Sequence, residues 1–129
     1  MNEPDRSAEG FKISIRPPAR IGVVGPCSAG KSTLIAGLKE KGLDVRHIAQ
    51  EHSYVPDMWR QITNPDILIF LDVSFPVSQH RRPLDWQIQD FIEQQSRLEH
   101  ARQQADLLIN TDDLSIQDVL NLALTFLRG

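Results

Sequence analysis

Apolar and polar positions along this chain alternate between short apolar runs and longer amphipathic stretches, the pattern expected when strands exchange with helices. The run Ile21-Gly22-Val23-Val24 predicts a first core strand over 20 to 25. Leu34, Ile35 and Leu38 then share one side of a helix from 30 to 41, which Gly42 stops. After a short connection, Asp44 to Ala49 alternates enough to predict a second strand. Residues 50 to 65 lose the pattern and read as a loop with one or two helical turns starting at Pro56-Asp57, ended by Asn64-Pro65. The most continuous apolar run, Asp66 to Val73, predicts a strand buried on both faces and therefore central in its sheet. Leu84, Ile88, Phe91, Ile92 and Leu98 predict a long amphipathic helix over 84 to 104. A final strand over 106 to 110 and a helix over 115 to 128 follow, with Ser115 as N-cap and Asp118 in the first turn.

This order implies an α/β domain with a parallel sheet, helices on both faces, right-handed crossovers and a ligand site at the carboxyl ends of the strands. Residues 20 to 129 read as one domain, and 40% apolar residues supply a core of ordinary size for 129 residues. Residues 1 to 19 are polar and punctuated by Pro4, Gly10 and Pro17-Pro18. They read as a flexible tail, or as an edge strand where Phe11 to Ile15 alternates.

Chemistry enters directly behind the first strand. Gly25-Pro26-Cys27-Ser28-Ala29-Gly30-Lys31-Ser32 is a complete G-x-x-x-x-G-K-[ST] phosphate loop, flanked by the strand and helix that such a loop needs. The two glycines let the chain wrap close to phosphate oxygens, and the loop amides and helix dipole supply positive potential. In this reading Lys31 reaches the β- and γ-phosphates, Ser32 ligates a magnesium ion between them, and Thr33 caps or touches the α-phosphate. Cys27 reads first as a small loop-filling residue, with a reactive thiol at a helix N-terminus as the alternative.

The remaining composition narrows partners. A net charge of −3 without a basic stripe argues against nucleic acid. No apolar run approaches the ~20 residues that span a bilayer, and the start of the chain has no signal-peptide core. With one cysteine no intramolecular disulfide forms, so the expectation is a cytoplasmic, reducing home without membrane attachment. No spacing among His47, His52, His80 and His100 indicates a zinc site.

On these residues the chain resembles the phosphate-loop small-molecule kinases, the group of adenylate, shikimate, thymidylate and deoxynucleoside kinases. Pro65 to Ser74 is similar to the strand before the lid in thymidylate and deoxynucleoside kinases. Arg81-Arg82-Pro83-Leu84, a long helix and Ala105 to Ser115 are similar to the shikimate kinase ending. The likeness covers about residues 20 to 128 and implies a P-loop NTPase fold, a three-layer α/β/α sandwich. It implies that Arg81 and Arg82 clamp the β- and γ-phosphates as a lid, and that the turn after the last strand lies against adenine. Glu51 follows the second strand where deoxynucleoside kinases carry a glutamate that acts as base. The chain also departs from the family. Residues 50 to 65 are too few for another strand and crossover helix plus an acceptor-binding domain, so a sheet of four core strands in order 2-1-3-4 is expected.

Asp72 closes its apolar strand in the form of a Walker B carboxylate, binding magnesium directly or through water; a strand-end turn residue is the equal alternative. Glu51 is either a base or a solvated loop carboxylate. Arg81 and Arg82 are lid cations or exposed helix-end arginines. His52, Tyr54, Asp57 and Trp59 cluster in the 50 to 64 loop and fit either packing or a second substrate or protein partner. Trp86 reads as a packing residue before an adenine cover. Two functions follow: Mg2+-dependent phosphoryl transfer from ATP to a small acceptor, or a nucleotide-dependent switch or regulatory ATPase that meets a protein partner through the 50 to 64 loop. A nucleotide-binding relic is the third. No Asn-Lys-x-Asp motif is present, which favours ATP over GTP.

Overall fold

A computed structural model of the chain describes residues 19 to 82 and 85 to 129. The expected tail with its edge strand, and Pro83 and Leu84, lie outside the described residues. Four strands form one parallel sheet: β1 (Arg20–Val24), β2 (Asp44–His47), β3 (Ile67–Asp72) and β4 (Leu107–Asn110), in the order β2-β1-β3-β4. That is the expected strand order. Register is direct, with Ile21 opposite Val45 and Ile67, and Ile69 opposite Leu107. All four carboxyl ends therefore lie at one end of the sheet.

Period-two alternation sorts the strand residues onto two faces. Ile21, Val23, Val45, Ile69, Leu71 and Ile109 pack with helices α1 (Lys31–Glu40) and α4 (Ile116–Leu127). Val24, Leu68 and Phe70 point the other way, onto Leu98 and Ala101 of α3 (Ile88–Gln104) and onto Ile48 and Trp59. The result is helix, sheet, helix in three layers. Gly37 brings α1 and α4 together, since a Cβ there would stand 3.1 Å from Leu120.

A further short helix, α2 (Phe75–Arg81), was not foreseen from the apolar pattern. Its cues are local: the Ser74 hydroxyl accepts from the Val77 amide, and Pro76 stands in the first turn, where its missing N–H costs nothing. The long helix begins at Ile88, four residues later than the apolar spacing suggests. A reciprocal cap sets the start: the Gln87 side chain accepts from the backbone of Asp90, whose carboxylate accepts from the Gln87 amide.

The 50 to 64 segment carries the expected helical turn after Pro56-Asp57, ended at Asn64, together with an ordered turn at its start that the pattern did not indicate. It holds a 3-10 turn, Gln50–His52, and a single π-type turn, Trp59–Thr63, ended by Asn64 at φ 47°. Gln50 organises it from a fully buried position. Its amide nitrogen donates to the Val55 and Arg97 carbonyls, and its oxygen accepts from the Trp59 amide. The Trp59 indole donates to His100 Nδ1 on α3, and Arg97 stacks over Tyr54 at 4.5 Å.

Candidate functional site

The glycine-rich loop Gly25 to Ser32 leaves β1 through Gly25, where the chain passes so close to β3 that a Cβ would fall 2.1 Å from the Leu71 carbonyl oxygen. No other residue fits there without moving backbone. Ser28 at φ 73° and Gly30 at φ 94° are both left-handed, and Gly30 caps α1. These two left-handed residues, two positions apart, tighten the loop, and the Ala29 amide donates to the Pro26 carbonyl within it. Ser28 pays the steric cost that a glycine would avoid.

Lys31 is 6% exposed and folds back over its own loop, donating to the Gly25 carbonyl at 2.7 Å and the Pro26 carbonyl at 3.0 Å. Its third partner is Glu51 Oε2, also at 3.0 Å. Glu51 is 3% exposed, so it is a buried partner of the loop lysine and not a solvated carboxylate. Its Oε1 is buried with no hydrogen-bond partner. Ser32 and Thr33 are exposed at the start of α1.

Arg81, at the end of α2, returns to the loop and donates to the Ser28 carbonyl at 2.6 Å and to the Thr111 carbonyl at 3.4 Å. It thereby ties the loop to the segment after β4. Between them lies a cavity of about 450 Å3 whose lining includes Ala29, Gly30, Thr33, Arg81, Thr111 and Ser115. This volume falls within the usual range for a small-molecule site.

Two expected site residues are drawn elsewhere. Arg82 stacks over the Trp86 ring at 5.1 Å, and Trp86 is buried, its indole donating to Ser78 Oγ. That is packing. Asp72 stands at the carboxyl end of β3, beside β1, but its Oδ2 accepts from Arg102 of α3 at 2.7 Å and its Oδ1 from the Val73 amide. Among the described residues no hydrogen bond or ion pair joins Asp72 to Ser32 or Lys31.

Gln94 was missed by sequence reasoning. It is buried on α3, its Oε1 accepts from the Cys27 amide at 2.9 Å, and its Nε2 donates to Cys27 Sγ at 3.1 Å. Cys27 therefore does more than fill the loop. Nothing in the amphipathic pattern distinguishes Gln94 from the other glutamines of α3; only the fold brings it to a residue 67 positions away. No protein-family model matches the chain, and none of the curated proteins matches it.

Proposed function

We propose that this protein binds a nucleoside triphosphate, ATP in preference to GTP, on the loop Gly25 to Thr33, as a compact P-loop NTPase related to the small-molecule kinases. The observation that carries the reading is the cavity that continues from the loop between Arg81 and Thr111, a concave site of small-molecule size lined by Ser28, Gly30 and Thr33 of the loop motif. The loop amides and Lys31 would hold the β- and γ-phosphates. Arg81, already at the loop, supplies the second cation. Arg82 serves Trp86 instead. Ser32 suits a magnesium ion, its exposed hydroxyl standing one residue after Lys31. Asp72, whose carboxylate serves Arg102 and the Val73 amide, is not assigned to the ion. Magnesium would offset phosphate charge, and transfer to a small acceptor would then need Glu51 as base.

The contact between Glu51 and Lys31 favours a second reading, a nucleotide-dependent switch. A γ-phosphate that takes the Lys31 amine competes with Glu51, and Glu51 belongs to the same segment as the exposed Tyr54 and Ile62. A protein partner on that segment would then read the nucleotide.

Calorimetric titration with ATP, GTP and ADP, with and without magnesium, tests the first reading. Magnesium-dependent ATP binding is expected, weakened about 10- to 100-fold by Lys31→Ala through loss of a charge-assisted donor. Unchanged affinity in that variant would remove the phosphate-loop assignment. Trp59 emission that differs between ATP and ADP, without acceptor-dependent turnover, would favour the switch over the transferase.

A further inference from the structure

The geometry points to a soft divalent-cation site, fitted to zinc, made by Cys27, Glu51 and His52 at the rim of the phosphate loop. Among the described residues these three form the one group whose thiol, carboxylate and imidazole atoms all lie within 4.8 Å of one another. Cys27 Sγ is 3.9 Å from His52 Nε2, and Glu51 Oε2 is 3.7 Å from the same nitrogen. Bond lengths for zinc to sulfur and nitrogen, set at a tetrahedral angle, bring such ligand atoms to ~3.6 Å of each other. His52 is exposed and can close the few tenths of an ångström on its own two distances by rotating its side chain, and the Cys27 thiol and Glu51 carboxylate lie within 4.8 Å of each other.

Glu51 gives the independent sign. Its carboxylate is buried, Oε2 is held by Lys31, and Oε1 has no partner at all. An orphaned carboxylate oxygen in such a place costs stability unless something else meets it. A cation beside Cys27 and His52 would draw on this carboxylate, whose Oε2 faces His52 Nε2 and whose Oε1 is otherwise unmet. The donor set selects the ion: thiolate and imidazole disfavour magnesium and calcium and suit zinc. Gln94 supplies support of the kind metal-bound groups have, since its amide donates to the sulfur and its carbonyl fixes the Cys27 backbone. Three protein ligands leave a fourth position for water or an anion oxygen.

The histidine spacing gave no hint of this because the ligands come from two separate loops. On binding, the Cys27 thiol loses its proton to solvent, the Cys27–metal bond forms, and no redox change occurs.

The test uses the full chain, reduced, stripped of metal and free of nucleotide. Zinc is titrated against a chromophoric chelator, and cobalt is added separately as a spectroscopic probe. The expected result is one equivalent of zinc per chain and, with cobalt, a thiolate-to-metal charge-transfer band. Cys27→Ser should remove the band and weaken zinc at least 100-fold, His52→Ala at least 10-fold, and His47→Ala not at all. The zinc readout contains no nucleotide, so it succeeds or fails independently of the nucleotide reading. Absence of the band in the wild-type chain, or equal zinc affinity in wild type and Cys27→Ser, overturns the assignment.

Discussion

Gly25 is the residue on which sequence and geometry agree most closely, because the motif requires it and the Leu71 carbonyl forbids anything larger. Gly25→Ala is expected to cost about 3 kcal/mol by forcing β1 and β3 apart, read as a lowered denaturant midpoint. Gln50 shows the opposite case. It sits in a stretch without apolar rhythm, so nothing in its neighbourhood marks it as fully buried. Its importance lies in three hydrogen bonds to the backbone, two of them within its own segment. Gln50→Ala leaves those groups unpaired at about 1 to 3 kcal/mol each, and hydrogen exchange at residues 53 to 63 should accelerate well before the rest of the chain. At the surface, Asp44 is held below the ordinary carboxylate range, first by its hydrogen bond from Arg46 and then by nearby positive charge. A lowered folded value means that the stabilisation is present above the ordinary carboxylate pKa and is lost as pH falls through the lowered one. Arg46→Ala should raise the Asp44 midpoint in an NMR titration and flatten that small acid slope.

Secondary elements were legible where apolar rhythm or capping chemistry is strong. All four strands fall where their runs predict, and α4 begins after Ser115 because its hydroxyl accepts from the Asp118 amide while the Asp118 carboxylate accepts in return. Ser115→Ala is expected to cost about 1 kcal/mol and about 4 °C in Tm, measured by calorimetry. Helix α2 escaped because seven residues give too little periodicity, although Ser74 and Pro76 carry its start in plain form. The site was half legible for a related reason. The loop motif is contiguous and could be read, whereas Glu51 beside Lys31, Arg81 beside Ser28 and Gln94 beside Cys27 are meetings between elements. Asp72 and Arg82 looked like site residues in the sequence because carboxylates and arginines at element ends resemble one another whether they face a ligand or a neighbouring helix.

On the scale of the whole molecule, stability rests on two apolar layers that share β1 and β3. Leu98 is fully buried in the layer beneath α3, so Leu98→Ala should cost about 2 to 5 kcal/mol. The same substitution loosens the helix that carries Gln94, and the denaturant midpoint should fall together with protection of the Cys27 amide. The parallel order of the sheet also gives the molecule two unlike poles. Every strand delivers its chain towards the loop, Arg81 and Thr111, while the Lys41–Gly42 turn between α1 and β2 belongs to the opposite pole. A dye, a surface tether or a fused reporter joined at that turn would thus stand a full strand length from the glycine-rich loop. Such a handle would leave the chemistry facing open solution, and a single-molecule or sensor format can be built on it without redesigning the site.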